Sequence, residues 1–272
     1  MKKILSIIVL YEQQLEDSLS YQSFQALSRH MDEPPTLIVY DNSAVPLATI
    51  PSGIIYHHDS RNIGVQPAYE YARLHAETLH YPYILLLDQD SWITKNLWHG
   101  YLASICSVNP PTAVVPRVYD DETLVSPFYT TSLFSKKSMV VQPGLYTAGI
   151  TAISSGCLLS TDFISKQGGF SEEFPLDYLD HWLFYLFEKE REPVLVLSDY
   201  LKHQLSVQDY DSISVERYHS ISQAERHFYQ TYRPELFPTY QRHLYKRLLK
   251  QILTVKNKRI AKMTWDLIKK AL

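Results

Sequence analysis

The chain has 272 residues, of which 45% are hydrophobic and 20% are charged, and its formal net charge at pH 7 is −3. This composition indicates a globular protein with room for a core domain and an appendage, and it excludes a wholly disordered chain. No apolar stretch approaches the roughly 20 residues that a membrane-spanning helix needs, and the first apolar run ends at Tyr11-Glu12 without a secretory-signal pattern.

The first half of the chain predicts strands and helices in alternation. Continuous apolar segments predict buried strands, and apolar residues at helical spacing predict helices. The predicted strands are 4–10, 36–40, 53–57, 83–87 and 113–116, and the predicted helices are 13–30, 66–79 and 95–108. This order indicates an α/β fold with a mostly parallel sheet and helices on both faces.

The second half is less regular. Residues 117–150 are rich in Ser, Thr, Tyr and Pro and predict loops or short strands over the site. Short helices are predicted at 160–166 and 178–190, a strand at 194–197, and helices from 213 to the end. The sequence therefore predicts one domain over 1–212, with halves meeting near residue 115, and a helical C-terminal region over 213–272.

Polar residues follow three of the predicted strands at the point where each strand ends. Tyr11-Glu12 follow the first strand, Asp41-Asn42-Ser43 follow the second, and Asp88-Gln89-Asp90 follow the fourth. Ligands of parallel sheets bind beyond the carboxyl ends of the strands. The sequence therefore predicts a single binding site at this edge of the sheet.

Asp88-Gln89-Asp90 directly follows a buried apolar strand. Carboxylates at positions i and i+2 can bind one Mg²⁺ or Mn²⁺ ion and leave coordination positions for diphosphate oxygens. In the alternative interpretation, the triplet is an acidic turn that caps the following helix. A third candidate, an aspartyl-phosphate phosphatase of the haloacid-dehalogenase type, is disfavoured because the triplet lies mid-chain and is followed by Ser91-Trp92.

Two further polar segments have both a structural and a functional interpretation. Asp41-Asn42-Ser43 predicts either a plain Asx turn or contacts with the base and ribose of a nucleotide. Asn62-Ile63-Gly64 begins a helix whose N-terminus either is simply capped or favours the phosphate of a ligand.

The segment from Asp177 to Trp182 places two acids, Asp177 and Asp180, three residues apart at a helix start. They would share a face, with His181 and Trp182 beside them as an acceptor contact. A carboxylate there can take a proton from an attacking hydroxyl. The alternative is helix capping by either acid. His203, after a later strand, predicts either a metal ligand or a loop cap.

Seven motifs in this order resemble family 2 glycosyltransferases. They lie at 4–11, 39–43, 62–64, 86–91, 155–159, 168–170 and 177–180, and the resemblance covers about residues 3–230. The form Leu-Asp-Gln-Asp-Ser, with Asp-Tyr-x-Asp later in the chain, is similar to the bacterial rhamnosyltransferase branch.

The resemblance implies a GT-A fold, an inverting mechanism and a bound Mn²⁺ or Mg²⁺ ion. It divides the predicted domain into a nucleotide-sugar-binding half and an acceptor or catalytic half. The donor, dTDP-L-rhamnose or a UDP-sugar, would contact the strand-end residues, and the acceptor would be a cell-surface polysaccharide or lipid-linked glycan. The resemblance implies Tyr11, Asp41 and Asn62 for the nucleoside, Asp88 and Asp90 for the diphosphate and metal, His203 as a further metal ligand, and Asp180 for the base. Asn42, Gly64 and Gln89, which lie in the same motifs, complete the predicted set of donor-binding residues. Because the residues after Asp180 depart from the branch pattern, Asp177 stays an alternative base.

The C-terminal region is strongly basic. From residue 241 onward it contains ten Lys or Arg residues and one acid, and Leu244, Leu248, Ile252 and Val255 lie at helical spacing among them. Such a helix either lies on an anionic membrane surface or docks on the protein or in a homodimer. Nucleic acid is a poorer partner because no binding motif accompanies the charge. Two cysteines without metal or disulfide spacing favour a reducing compartment, so the predicted location is the cytoplasm. The basic C-terminal region adds a predicted peripheral contact with the inner face of the membrane.

Overall fold

The structure is a computed structural model that describes residues 3–29, 31, 35–120, 122–132, 134, 140–203 and 213–269. The chain divides into two compact units: unit 1 is Met1–Thr130 with Met139–Gln204, and unit 2 is Thr131–Ser138 with Leu205–Leu272. Unit 1 has 11 Lys or Arg residues and 23 acids, whereas unit 2 has 15 and 6. The formal charges of the two units are therefore −12 and +9.

The strands and helices of the first half, up to residue 120, lie close to the predicted segments, whereas the second half contains a run of short strands and then helices. The strands are β1 (Ile4–Leu10), β2 (Thr36–Asp41), β3 (Ile54–His58), β4 (Tyr83–Asp88), β5 (Ser91–Trp92), β6 (Ala113–Asp120), β7 (Thr123–Ser126), β8 (Phe128–Tyr129), β9 (Gly144–Tyr146), β10 (Ile150–Thr151), β11 (Leu158–Ser160) and β12 (Val194–His203). The helices are α1 (Leu19–Ser28), α2 (Gln66–Thr78), α3 (Lys95–Ile105), α4 (Thr161–Lys166), α5 (Leu179–Glu190), α6 (Val215–Thr231), α7 (Phe237–Thr254) and α8 (Lys258–Lys269).

Unit 1 is built on a sheet in the order β3-β2-β1-β4-β11-β6-β12-β5. The first four strands of this order are parallel, and β6 is parallel to β12, whereas β11 runs antiparallel between β4 and β6. The predicted α/β class with a mostly parallel sheet flanked by helices is confirmed. Every residue of β1 is buried, in agreement with its continuous apolar sequence.

Some boundaries differ from the prediction for local reasons. Helix α1 begins at Leu19 because the Ser18 hydroxyl caps it by accepting the N–H of Tyr21 at 3.2 Å. β12 extends to His203 and β6 to Asp120, since the two strands pair along most of their length. β11 was not predicted as a strand because three residues are too short for a periodic signal.

Unit 2 has a core between its helices α6, α7 and α8. Tyr218, Val255 and Ile260 form the centre of this core. For Leu244 and Val255, the sequence left open whether they contact a membrane or dock on the protein. They are 0% and 4% exposed, so for these two residues the docking alternative holds, because this face of α7 packs within unit 2. None of the helices in the described part of the chain combines the length and the apolar content of a membrane-spanning helix.

Candidate functional site

The carboxyl ends of β1, β2 and β4 lie side by side, which confirms the predicted convergence of the three strand ends. Hydrogen bonds connect the segments that follow them. The N–H of Tyr11 donates to Oε1 of Gln89 at 2.8 Å, and the N–H of Glu12 donates to Oγ of Ser43 at 2.7 Å. The residues after the three strands therefore form one continuous edge of unit 1.

Two serines at the start of α1 hold the turn after β4. Oγ of Ser20 contacts the carbonyl oxygens of Asp88 and Ser91, the latter at 2.8 Å, and accepts the N–H of Ser91 at 3.1 Å. Oγ of Ser18 donates to the carbonyl oxygen of Gln89 at 2.8 Å. Ser18 and Ser20 are fully buried, so these bonds form away from water and fix the main chain of the turn.

A third serine holds the turn from the other side. Oγ of Ser155 accepts the N–H of Asp88 at 3.0 Å and bonds Oγ of Ser91 at 2.7 Å. We call Ser18, Ser20 and Ser155 the serine clamp. The following helix, α3, is capped by Thr94. The alternative in which the acidic triplet caps that helix is therefore wrong.

The side chains of Asp88 and Asp90 are half-buried, and Oδ1 of Asp90 is buried. Carboxylate oxygens are donors that Mg²⁺ and Mn²⁺ prefer, so this pair fits a hard divalent ion that is also bound by a diphosphate. Among the described side chains, no group of three His, Cys, Asp or Glu residues is arranged to hold a metal. The side chain of His203 lies outside the described residues, but its backbone pairs with Ser91. The metal ion stays a prediction.

Asp88 and Asp180 both act on the buried hydroxyl of Tyr69. Burial raises the pKa of Tyr69 well above its ordinary value, and the negative charges of Asp88 and Asp180 raise it further. The hydroxyl therefore stays protonated, and it lies 3.1 Å from Oγ of Ser154. Tyr69 lies on α2, and its hydroxyl bonds Ser154, the neighbour of Ser155, which holds the turn after β4. The first residue of α2, Gln66, bonds the Pro175 carbonyl oxygen, so α2 connects that turn to the segment that leads to α5.

Asp180 lies in the first turn of α5, and its Oδ1 accepts the N–H of His181 at 2.7 Å. The residue at the cap position of α5 is Tyr178, which adopts a left-handed conformation with φ 66°. Neither predicted acid is therefore the N-cap residue. Asp177 precedes the helix, and the expectation that the two carboxylates share a face stays a prediction.

The predicted acceptor contacts differ in exposure. The ring of His181 is stacked on Tyr178, with centroids 4.5 Å apart and an interplanar angle of 23°. Trp182 is only 6% exposed, so its ring packs in the core and offers almost no surface to an acceptor. The prediction of Trp182 as an acceptor-binding wall is corrected accordingly, because α5 turns this position inward.

The start of α2 is attached to the segment that leads to Asp177. The N–H of Gln66 donates to the carbonyl oxygen of Pro175 at 2.9 Å, and Nε2 of Gln66 donates to the carbonyl oxygen of Phe170 at 2.8 Å. The N–H of Gln66 is already bonded, and Pro67 has no N–H. Neither of these two positions in the first turn of α2 therefore offers an N–H group to an anion. Gly64 has φ 140°, and a Cβ there would lie 2.2 Å from the Pro175 oxygen. These contacts give Gly64 a packing role and argue against the predicted phosphate contact.

Asp41 and Asn42 are buried supports of the same edge. Oδ1 of Asp41 accepts the N–H of Ser43 at 2.9 Å, which is the predicted Asx turn, and Oδ2 accepts the hydroxyl of Tyr56 at 2.7 Å. Burial and then this bond to Asp41 raise the pKa of Tyr56 to about 12. Nδ2 of Asn42 donates to the carbonyl oxygen of Gly64 at 2.9 Å. Direct contact of either side chain with a nucleotide stays a prediction.

A charged group after β3 was missed by the sequence reading. Nε and Nη2 of Arg61 bind Oδ1 and Oδ2 of Asp59, each at 2.7 Å, and the hydroxyl of Tyr40 donates to Oδ2 at 2.7 Å. Asp59 is 7% exposed, whereas the Arg61 side chain is 68% exposed. The next residue, Asn62, has φ 45° and is exposed. The position of Asp59 directly after a strand was the available signal.

No protein-family model and no curated protein sequence matches the chain. The structure is similar to crystal structures of TarS from S. aureus. It matches TarS 1–349 with a TM-score of 0.55 and 13% identity, over 99% of this chain and 91% of that chain. The complexes of TarS 1–349 with UDP and with UDP-GlcNAc each give 0.51, at 12% and 11% identity and the same coverage. The match to a longer TarS structure covers 50% of that chain. This likeness confirms the predicted GT-A fold.

Proposed function

We propose that the protein is an inverting glycosyltransferase that uses a nucleoside-diphosphate sugar. Two findings support this proposal: the polar edge that follows β1, β2 and β4 in unit 1, and the similarity of the fold to that of TarS. The observation that carries the proposal is the fixed turn Asp88–Ser91, which lies at one edge of unit 1 with the ends of β1 and β2. A site with a carboxylate pair for the diphosphate and a separate carboxylate for the acceptor suits transfer of a sugar.

In the proposed reaction, Asp180 accepts the proton of an acceptor hydroxyl while that oxygen attacks the anomeric carbon of the donor. The bond from the anomeric carbon to the diphosphate oxygen breaks, and the configuration at this carbon inverts. The half-buried position of Asp180 in the first turn of α5 fixes the carboxylate. Asp177 is the second candidate base.

The donor diphosphate would lie at the turn after β4, with Asp90 and Asp88 as ligands of a Mn²⁺ or Mg²⁺ ion and His203 as a further candidate. When bound, such an ion would stabilise the negative charge that develops on the departing diphosphate. The exposed ring of Tyr11 and the side chain of Asn62 are the candidate contacts to the nucleoside. The serine clamp would maintain the direction of the two carboxylates.

Two donor classes are proposed for this site. The sequence resemblance supports dTDP-L-rhamnose, and the TarS complexes with UDP and UDP-GlcNAc support a UDP-sugar. The test is a thermal-shift panel of dTDP, dTDP-L-rhamnose, UDP, UDP-glucose and UDP-GlcNAc, with and without Mn²⁺, followed by product detection with the best donor. A Mn²⁺-dependent shift with one nucleotide class supports the proposal. No shift with any nucleotide sugar would refute it.

A non-catalytic subunit that only binds nucleotide sugars is the alternative from another class. Transfer or slow donor hydrolysis that EDTA abolishes and Mn²⁺ restores would establish an enzyme. Donor binding without product under the same conditions would favour the binding subunit.

The acceptor we propose is a bacterial surface polysaccharide or a lipid-linked glycan. A lipid-linked acceptor requires that the enzyme work at the inner face of the membrane, and the charge of +9 on unit 2 supports such a peripheral contact. A homodimer is a further proposal, tested by the mass of the protein in solution.

A further inference from the structure

Helix α7 has an apolar stripe that the core of unit 2 does not use. Tyr245, Leu249, Ile252 and Leu253 are 43%, 63%, 49% and 82% exposed. Their spacing of three and four residues places them along one side of the helix. We call these four residues the exposed stripe. Four large exposed apolar side chains within nine residues indicate a surface that binds something.

The opposite side of α7 is already occupied. Tyr240, Leu244 and Gln251 are fully buried, and Nε2 of Gln251 donates to the hydroxyl of Tyr218 on α6 at 2.9 Å. The exposed stripe is therefore additional to the packing face of the helix, and the fold of unit 2 does not require it.

The charged residues of α7 itself are all positive. Arg242, Lys246 and Lys250 are exposed on α7, and Lys256 is exposed just after the helix. Helix α7 contains no Asp or Glu. The remaining basic residue, Arg247, is bound to Glu225 through two bonds of 2.7 Å within unit 2. An apolar stripe beside exposed cations fits a surface of anionic lipid headgroups over hydrocarbon.

We propose that the exposed stripe is where the protein inserts into the interface of an anionic membrane. Tyr245, Leu249 and Leu253 would enter the boundary between headgroups and acyl chains, and Lys246 and Lys250 would bind lipid phosphates. A second copy of the chain fits this surface less well, because a two-fold interface would bring the same positive charges together. The proposal deepens the membrane contact of the proposed function, and it does not depend on the identity of the donor.

The test is flotation of the full-length protein with vesicles of phosphatidylcholine alone or mixed with phosphatidylglycerol. We expect binding to the phosphatidylglycerol vesicles that falls as salt rises. The double variant Leu249→Glu/Leu253→Glu should bind these vesicles at least about tenfold less, because it adds negative charge and removes apolar contact. Both positions are exposed, so circular dichroism and the melting temperature should match those of the wild type.

The matched control is Val45→Glu/Val108→Glu, which also replaces two exposed aliphatic residues by Glu, at positions of unit 1 that are 75% and 96% exposed. It should bind vesicles nearly as well as the wild type. Equal loss in both double variants, or equal binding to neutral vesicles, would overturn the proposal. So would a wild-type dimer in light scattering that the stripe variant converts to monomer without weaker vesicle binding. Nucleotide thermal shifts are measured in parallel, so failure of the donor proposal is recognised separately.

Discussion

At the scale of single residues, the proposed chemistry depends on the carboxylate of Asp180. We expect Asp180→Asn to lower kcat for transfer by about 10²- to 10⁴-fold, because an amide cannot accept the acceptor proton. Nucleotide affinity, measured by calorimetry, should stay close to that of the wild type, since the proposed donor site lies after β1, β2 and β4.

The matched control is Asp177→Asn, which changes the neighbouring acid outside α5 and should retain most of the activity. The reverse result, with activity lost in Asp177→Asn and kept in Asp180→Asn, would assign the base to Asp177.

Asp59 provides a prediction about pH. The guanidinium of Arg61 holds the pKa of Asp59 well below its ordinary value. Burial acts in the opposite direction, and the bond from the Tyr40 hydroxyl adds a smaller lowering of the pKa. The folded state therefore favours the charged carboxylate. The charged Asp59 carboxylate therefore stabilises the folded state fully above its unfolded-state pKa, at a pH of about 4 and higher. This stabilisation is lost as the pH falls from there toward the lower pKa of Asp59 in the folded state.

We expect urea unfolding of Asp59→Asn to depend less on pH than that of the wild type below pH of about 4. The control is Asp162→Asn, which breaks the exposed Lys166–Asp162 pair and should leave the pH dependence nearly unchanged. Identical pH slopes for Asp59→Asn and the wild type would contradict the prediction.

At the scale of elements, the start of α1 determines the shape of the turn after β4. Ser20→Ala leaves polar main-chain groups of that turn without their buried partner, so we expect a loss of about 1–3 kcal/mol in the free energy of unfolding. We also expect weaker Mn²⁺-dependent nucleotide binding. Ser23→Ala is the control, because Ser23 is equally buried on α1 but donates to the carbonyl oxygen of Ser20.

Nucleotide binding by the two serine variants is compared at temperatures where both have the same free energy of unfolding. This comparison separates an effect on the site from an effect on folding. If Ser23→Ala impaired nucleotide binding as much as Ser20→Ala, the clamp would have no specific role in the site.

Helix α2 and the segment before α5 meet at Gly64. We expect Gly64→Ala to destabilise the fold and reduce transfer, because the new Cβ would collide with the Pro175 carbonyl and displace the segment that leads to Asp180. Gly53→Ala is the control: Gly53 also has positive φ, at 85°, but a Cβ there meets no atom within 4 Å. Both substitutions place a Cβ at a residue with positive φ, but only the one at Gly64 creates a collision. If both variants lost similar activity, backbone strain and not the collision would explain the loss.

The parallel half of the sheet and the edge at which the polar residues meet were predictable from sequence, because β1 and β4 are continuous apolar runs followed by acids or amides. The serine clamp was not predictable. Ser20 and Asp88 are 68 residues apart, and a serine hydroxyl has no periodic signal. The inward direction of Trp182 and the buried state of Leu244 were also beyond the sequence, because the side of a helix that packs depends on its neighbours.

At the scale of the whole molecule, the two units should respond differently to donor. Trp92, Trp98 and Trp182 lie in unit 1, whereas Trp265 lies in unit 2. In Trp265→Phe, tryptophan fluorescence therefore reports unit 1 alone. We expect nucleotide with Mn²⁺ at about 100 times Kd to stabilise this transition by about 2.7 kcal/mol, and EDTA to remove the effect.

Far-UV circular dichroism of the same variant adds the signal of α6, α7 and α8. If the two units unfold independently, the donor should raise the melting temperature seen by fluorescence and leave the part of the circular dichroism transition that comes from unit 2 unchanged. An equal shift of both curves would contradict independent unfolding, and no shift in fluorescence would contradict a donor site in unit 1.

The opposite charges of unit 1 and unit 2 also affect how the protein behaves on a column. A net charge of −3 predicts retention on an anion exchanger alone. Binding to an ion-exchange resin, however, depends on the charge of the part of the protein surface that contacts the resin. With −12 on one unit and +9 on the other, the folded protein should be retained by both anion and cation exchangers at neutral pH. The salt concentration needed to elute the protein from the cation exchanger would then report the positive surface charge of unit 2 in the absence of lipid.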